Sequence, residues 1–252
     1  NDERAVALGD GHEVPDVGVY AGKPWKQTDK EHAAMITRMD ADIGRIMAQL
    51  RALGLDERTL VIFSSDNGPH REGGPDYDPE FFNANGLLRG EKRDLYEGGL
   101  RVPFIARWPG RIEAGSESTQ VGYFGDVMAT LAELAGMSPP AGVDSVSLVP
   151  TLLARGGQAQ HAFLYWEFYE AGPSQAVLLE GHWKGIRAHV PDGPIALYDL
   201  TNDLGETTNV AAQHEDVVAR IAGIMRREHQ DNAYWRFPLS TPPLEKTGRS
   251  SR

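Results

Sequence analysis

The sequence predicts an α/β domain followed by a small antiparallel sheet with one packing helix. Three observations predict it. An apolar stripe of period 3.6 runs into a short strand-like block, Leu60–Ser65, the grammar of a helix feeding a strand covered on both faces. A second block of this kind, Val102–Trp108, follows a long span studded with Gly and Pro. Beyond about Thr151, short apolar runs are broken by Gly, Pro and Asp at the spacing of a meander.

In chain order, residues 1–26 are rich in Gly, Pro, Asp and Val without periodicity and read as a connecting segment. Thr28-Asp29-Lys30-Glu31 has the Ser/Thr-x-x-Glu spacing of a capping box, in which the side chains at each end satisfy an orphan backbone donor. The stripe that follows, Met35, Ile36, Met39, Ile43, Ile46, Met47, Leu50 and Leu53, stops at Gly54, so a helix is expected there. The span between the two strands is too long for an ordinary connection and reads as a functional wall. Asp126–Leu134 reads as a helix closed by Gly136, and "GMSPPAGVDSVSLVP" as loop. "FLYWEFY", "QAVLLEG", "HWKGIRA" and "IALYDL" supply the four strands of the meander. Asp216–His229, with Val217, Val218, Ile221, Ile224 and Met225 on one face, is the helix that covers them. The expected division is therefore a main domain over 1–150, a small subdomain over 151–237 and a disordered tail over 238–252.

Composition narrows the partners. The 252 residues carry 25 Lys+Arg against 36 Asp+Glu, a net charge of -11, with no basic run interleaved with aromatics, which argues against nucleic acid. No stretch approaches the roughly 18 apolar residues of a membrane span. Cysteine is absent, so neither disulfides nor thiolate metal sites are available.

The chemistry concentrates at the end of the first strand, "TLVIFSSDNGPH". Ligands of open α/β sheets sit outside the carboxyl ends of strands, where Asp66 and Asn67 fall. Asp-Asn-Gly is equally favoured turn chemistry, so this block taken alone is ambiguous. A second block, "LLRGEKRDLYEGGLRVPFIARWPGRIEAG", carries Lys92 through a Gly-flanked turn to the pair Gly98-Gly99 before re-entering a strand.

These two blocks in this order, followed by "YFGDVMATLAELAG" and "HWKGIRA…LYDLTNDLGETTNVA", resemble the C-terminal portion of type I sulfatases, over nearly the whole chain. The resemblance implies an alkaline-phosphatase-like sulfatase fold and hydrolysis of a sulfate ester, on a sulfated sugar or an aryl sulfate. It implies a calcium ion held beside a formylglycine nucleophile, with Asp66 and Asn67 matching the family's calcium ligands and Lys92 its sulfate-contacting lysine. Oxygen donors suit a hard cation, and an ammonium there would offset charge building on the sulfuryl oxygens. Relatives are commonly exported, which implies an extracytoplasmic location.

The sequence also departs from the family pattern. Calcium takes about six to eight oxygens, and two side chains cannot supply them. The Cys/Ser-x-Pro-Ser/Ala-x-Arg nucleophile motif is missing; "SPPAG" at Ser138 lacks its spacing and its arginine. The expected partner is therefore the N-terminal part of the same enzyme, and the chain alone is expected to be inactive. A phosphomonoester or phosphonate hydrolase of the same superfamily is the alternative, disfavoured because Asn67 stands where a zinc-binding histidine would be; a noncatalytic relic of the fold is the other.

Secondary candidates come with bland readings. His70 and Arg71 could line the substrate pocket or simply face solvent. Glu97 and Arg101 are expected to lock the glycine turn by an ion pair. Tyr165, Trp166, Phe168 and Tyr169 could stack on a sugar but read better as strand packing. The remaining histidines show no His-x-His or His-Glu-x-x-His spacing, so no zinc site is expected.

Overall fold

The structure, a computed structural model, describes residues 12–72, 76–170, 172–230 and 232. The expected disordered tail and the first part of the expected connecting segment lie outside these residues. The chain divides into two compact units, the break falling between His161 and Ala162 and Arg93–Tyr96 grouping with the second.

In the first unit the long helix α1 is Gln27–Ala52. It starts before Thr28, so the expected capping box does not form: the cap position is Lys26, without a side-chain hydrogen bond. The Thr28 hydroxyl instead donates to the Asp76 carbonyl (3.2 Å), and Glu31 is occupied by the Gln27 amide, 2.7 Å away and one turn back. Gly54, at φ +66°, ends the helical path in the left-handed conformation that glycine adopts without strain.

Strand β1 (Val61–Ser64) and strand β2 (Phe104–Arg107) pair antiparallel, Val61 opposite Arg107 and Ser64 opposite Phe104. Between them lies one helical turn, α2 (Glu97–Leu100). Both strands were expected to be covered on two faces. Instead β1 is only half-buried, and Phe104 and Ile105 are 43% and 59% exposed. Among the described residues this sheet has just two strands, so the chain does not itself cover the apolar surface its strand composition calls for. The outer stripe of α1 is left open in the same way, with Ile36, Met39 and Ile46 about half exposed.

Helix α3 is Asp126–Leu134. Its first residue, Asp126, is fully buried and latches the surrounding loop: its carboxylate accepts from the amides of Tyr123 (3.0 Å) and Val146 (2.8 Å) and meets His161 Nε2 at 2.9 Å. The stretch expected as loop after it closes in a short helix, α4 (Val149–Leu152), with Pro150 in its first turn, where a missing N–H costs nothing.

The second unit is the expected meander. Strands β3 (Phe163–Phe168), β4 (Ser174–Leu179), β5 (Trp183–Arg187) and β6 (Ile195–Asp199) pair antiparallel in sequence order. Helix α5 (Glu215–Glu228) lays Val217, Ile221, Ile224 and Met225 onto Val177, Leu179, Ile195 and Leu197, all buried. The aromatic cluster packs as structure. Tyr165 and Tyr169 both donate to Glu167, burial lifts the Tyr165 phenol far above its usual range, and Trp166 lies under the Lys184 ammonium at 5.5 Å. No helix among the described residues is long and apolar enough to cross a membrane.

Candidate functional site

The two sequence blocks meet through their backbones. β1 runs out at Ser64, and the Ser65 hydroxyl then donates to the Asn67 carbonyl (2.9 Å), folding Asp66-Asn67 into a tight turn. Gly68 N–H donates to the Gly99 carbonyl (3.0 Å), Lys92 N–H to the Pro69 carbonyl (2.7 Å), and Gly98 N–H to the Arg89 carbonyl (2.6 Å). Three backbone runs cross here with no room for side chains. A Cβ on Gly68 would sit 1.7 Å from the Gly98 carbonyl oxygen, and one on Gly98 2.3 Å from that of Gly90. The glycines of "DNGP" and "YEGG" are therefore needed for close approach, and the Lys92 backbone lies against the turn that carries Asp66 and Asn67.

Each candidate side chain then has a definite setting. Asp66 is exposed and has no hydrogen-bond or ionic partner among the described residues. Asn67 spends its Nδ2 on the Gly68 carbonyl (2.8 Å), which leaves Oδ1 as its remaining acceptor. Lys92 Nζ is ion-paired with Glu72 Oε2 at 2.8 Å, a partner the motif reading did not anticipate. Arg71 is engaged by Glu91 and, at 3.3 Å, by Glu80, and these carboxylates hold its guanidinium in the charged form. Glu97 is buried and pairs with Arg101 Nε at 2.7 Å, the turn lock expected from the sequence.

His70 has turned inward. Its Nδ1 accepts the Glu72 amide N–H (3.0 Å), and its ring stacks on Tyr77 with centroids 5.6 Å apart. Burial lowers its pKa, with Lys92 adding to the effect and Glu72 opposing it. His12 and His32 complete a group that sequence spacing did not disclose: the three candidate ligand nitrogens lie within 4.8 Å of one another. This corrects the expectation of no histidine metal geometry. His12 precedes α1, His32 lies in its first turns and His70 follows β1, so no local spacing rule links them. Burial of His32 lowers its pKa as well.

Comparison with known proteins identifies the family. A family model described as Sulfatase matches residues 5–137, and one described as N-sulphoglucosamine sulphohydrolase, C-terminal, matches residues 89–231. The N-acetylgalactosamine-6-sulfatase of Homo sapiens is 36% identical, the match covering 84% of this chain and 46% of that protein. The N-acetylgalactosamine-6-O-sulfatase of Bacteroides thetaiotaomicron is 32% identical over 82% of this chain and 42% of its own length. A solved structure from work on glycosaminoglycan metabolism by the same bacterium superposes with a TM-score of 0.66 at 29% identity, covering 78% of this chain and 44% of that one. The chain thus spans less than half the length of these relatives. It belongs to the sulfatase family, and its fold is the alkaline-phosphatase-like α/β fold with the small antiparallel sheet that follows it.

Proposed function

We propose that this chain is the C-terminal portion of an enzyme that hydrolyses a sulfate ester on a saccharide. The observation that carries the reading is the backbone interlock of the two motif blocks, Gly68 N–H to Gly99 and Lys92 N–H to Pro69, which brings Lys92 against the turn of Asp66 and Asn67. Two relatives are named for N-acetylgalactosamine 6-sulfate, so a hexosamine 6-sulfate is the substrate class put forward.

The donor set fits a hard cation. An unengaged carboxylate at Asp66 and an amide oxygen left over at Asn67 are both oxygen ligands of the kind calcium takes, though only part of the about six to eight it needs. Bound there, calcium would supply positive charge against the sulfate oxygens. The other oxygen ligands and a formylglycine nucleophile would come from sulfatase sequence outside these 252 residues, and the chain alone is proposed to be inactive. Lys92 holds one face of the sulfate. To do so its ammonium exchanges Glu72 for the anion or bridges both, and it stabilises the charge that grows as the S–O bond breaks. His70, held by Tyr77 and the Glu72 amide, is turned inward and is not among the groups that would hold the sugar. Arg71, already engaged by two carboxylates, is the weaker candidate for an anion and suits a hydroxyl.

The test uses the whole protein with a matched pair, the 6-sulfate and the 6-phosphate of one hexosamine. Release of sulfate with little release of phosphate is expected; the reverse preference assigns the site to phosphate-ester chemistry and refutes the reading.

A further inference from the structure

The group of His12, His32 and His70 is separate in chemistry from the oxygen donors at Asp66 and Asn67. We propose that these three imidazoles form a second metal site, one for a borderline divalent transition metal such as zinc. The proposal does not depend on the sulfate-ester reading.

Geometry comes first. Nitrogens bound to one tetrahedral zinc at about 2.0–2.1 Å lie roughly 3.4 Å from each other. The three candidate nitrogens lie within 4.8 Å of one another, and the ring centroids are separated by 5.2 Å (His12–His32), 5.8 Å (His12–His70) and 6.4 Å (His32–His70). Coordination would require the nitrogens to approach by up to about 1.4 Å, from 4.8 Å to roughly 3.4 Å.

The surroundings favour the same outcome. The Tyr77 ring stacks on His32 and on His70, 5.6 Å in each case, and meets His12 edge-on at 4.7 Å. Phe82 stacks on the His32 ring at 5.8 Å. These aromatic walls restrict ring rotation, so part of the ordering that metal binding requires is already in place. His12 is buried whereas His32 and His70 are partly exposed, which leaves an entry path and a position for a fourth ligand.

Ligand chemistry selects the metal. Imidazole nitrogen suits zinc, copper, nickel or cobalt, whereas calcium and magnesium take oxygen. Only unprotonated imidazole binds a metal, and burial favours that form at both His32 and His70. A hydrogen bond at His70 opposes loading. The Glu72 amide donates to His70 Nδ1, so the neutral ring carries its proton on Nε2. Metal uptake exchanges this one neutral hydrogen bond, or the tautomer it fixes, for a metal–nitrogen bond. Because the three ligands come from before α1, from α1 and from beyond β1, a bound ion would tie together segments that are far apart in sequence.

The whole protein, stripped with a chelator and titrated with Co2+, provides the test. Expected are one saturable equivalent with the visible bands of four-coordinate cobalt, displacement by Zn2+, and no displacement by millimolar Ca2+. His32→Asn and His70→Asn should each weaken binding roughly tenfold or more, while Asp66→Ala leaves it unchanged. Absence of saturable binding, survival of binding in the His32→Asn/His70→Asn pair, or displacement by Ca2+ overturns the site. Should a variant fail to fold, X-ray absorption on the zinc-loaded unaltered whole protein decides: three imidazole ligands support the proposal, and a shell with fewer refutes it.

Discussion

A single methyl group is enough to test the centre of the first unit. At Gly68 a Cβ would lie 1.7 Å from the Gly98 carbonyl oxygen, and backbone cannot yield as a flexible side chain does. Gly68→Ala should therefore cost about 3 kcal/mol or more, at the severe end for point substitutions, or prevent folding of this unit, as read by denaturant unfolding. Gly44, inside α1 with open space around it, is the control: Gly44→Ala should raise stability by about 0.5–1 kcal/mol through helix propensity. Equal responses at the two positions would contradict the interlock. Glu72→Gln should change stability by less than about 1 kcal/mol, since Glu72 and Lys92 are 26% and 33% exposed and such pairs contribute little. Its effect should appear instead as altered sulfate-ester kinetics in the whole enzyme, because Lys92 loses the carboxylate that holds it. At this scale motif chemistry singled out Asp66, Asn67 and Lys92, and the two backbone segments that carry them do meet. The Glu72 partner of Lys92 and the convergence of His12 and His32 were not, because each depends on the path of a loop that propensity and periodicity leave undetermined.

Elements were more legible than their ends. The α1 stripe, the four-stranded meander and α5 were all readable from the sequence pattern, although only the meander and α5 bury that pattern within the described residues. The α1 start was misread because Thr28 found the Asp76 carbonyl, a partner 48 residues away that no local rule contains. Two predictions belong here. Ile221→Ala, at a side chain fully buried between α5 and the meander, should cost about 2–5 kcal/mol; a cost near zero by thermal or chemical unfolding would mean that α5 does not pack as described. The second concerns pH in the metal-free chain. His32 and His70 have lowered pKa values in the folded state, so as pH falls below about 6.5 the unfolded chain takes up protons first. Stability is fully present above that pH and declines as pH falls toward the folded pKa values. Unfolding measured across this range should show a decline that His32→Asn or His70→Asn reduces; an unchanged slope in both variants would assign the pH dependence to other groups.

At the scale of the whole molecule, fold class and family were readable because the two motif blocks are glycine-dependent and ordered, whereas burial was not. β1 and β2 have the composition of covered strands, yet Phe104 and Ile105 are exposed in a chain that spans less than half the length of its relatives. Composition records the surroundings a strand is suited to, and this chain holds only part of them. If Asp66 and Asn67 hold calcium as proposed, the same partition leaves them short of a full oxygen shell. The most direct measurement is the calcium dependence of hexosamine 6-sulfate hydrolysis by the whole enzyme with Asp66→Ala, Asn67→Ala and Lys92→Ala in turn. We predict that the first two raise the calcium requirement or abolish turnover, and that Lys92→Ala lowers kcat/KM by about 10²–10³-fold, as for loss of one preorganised charge-stabilising group. Near-parental kcat/KM and calcium response in all three variants would contradict the account.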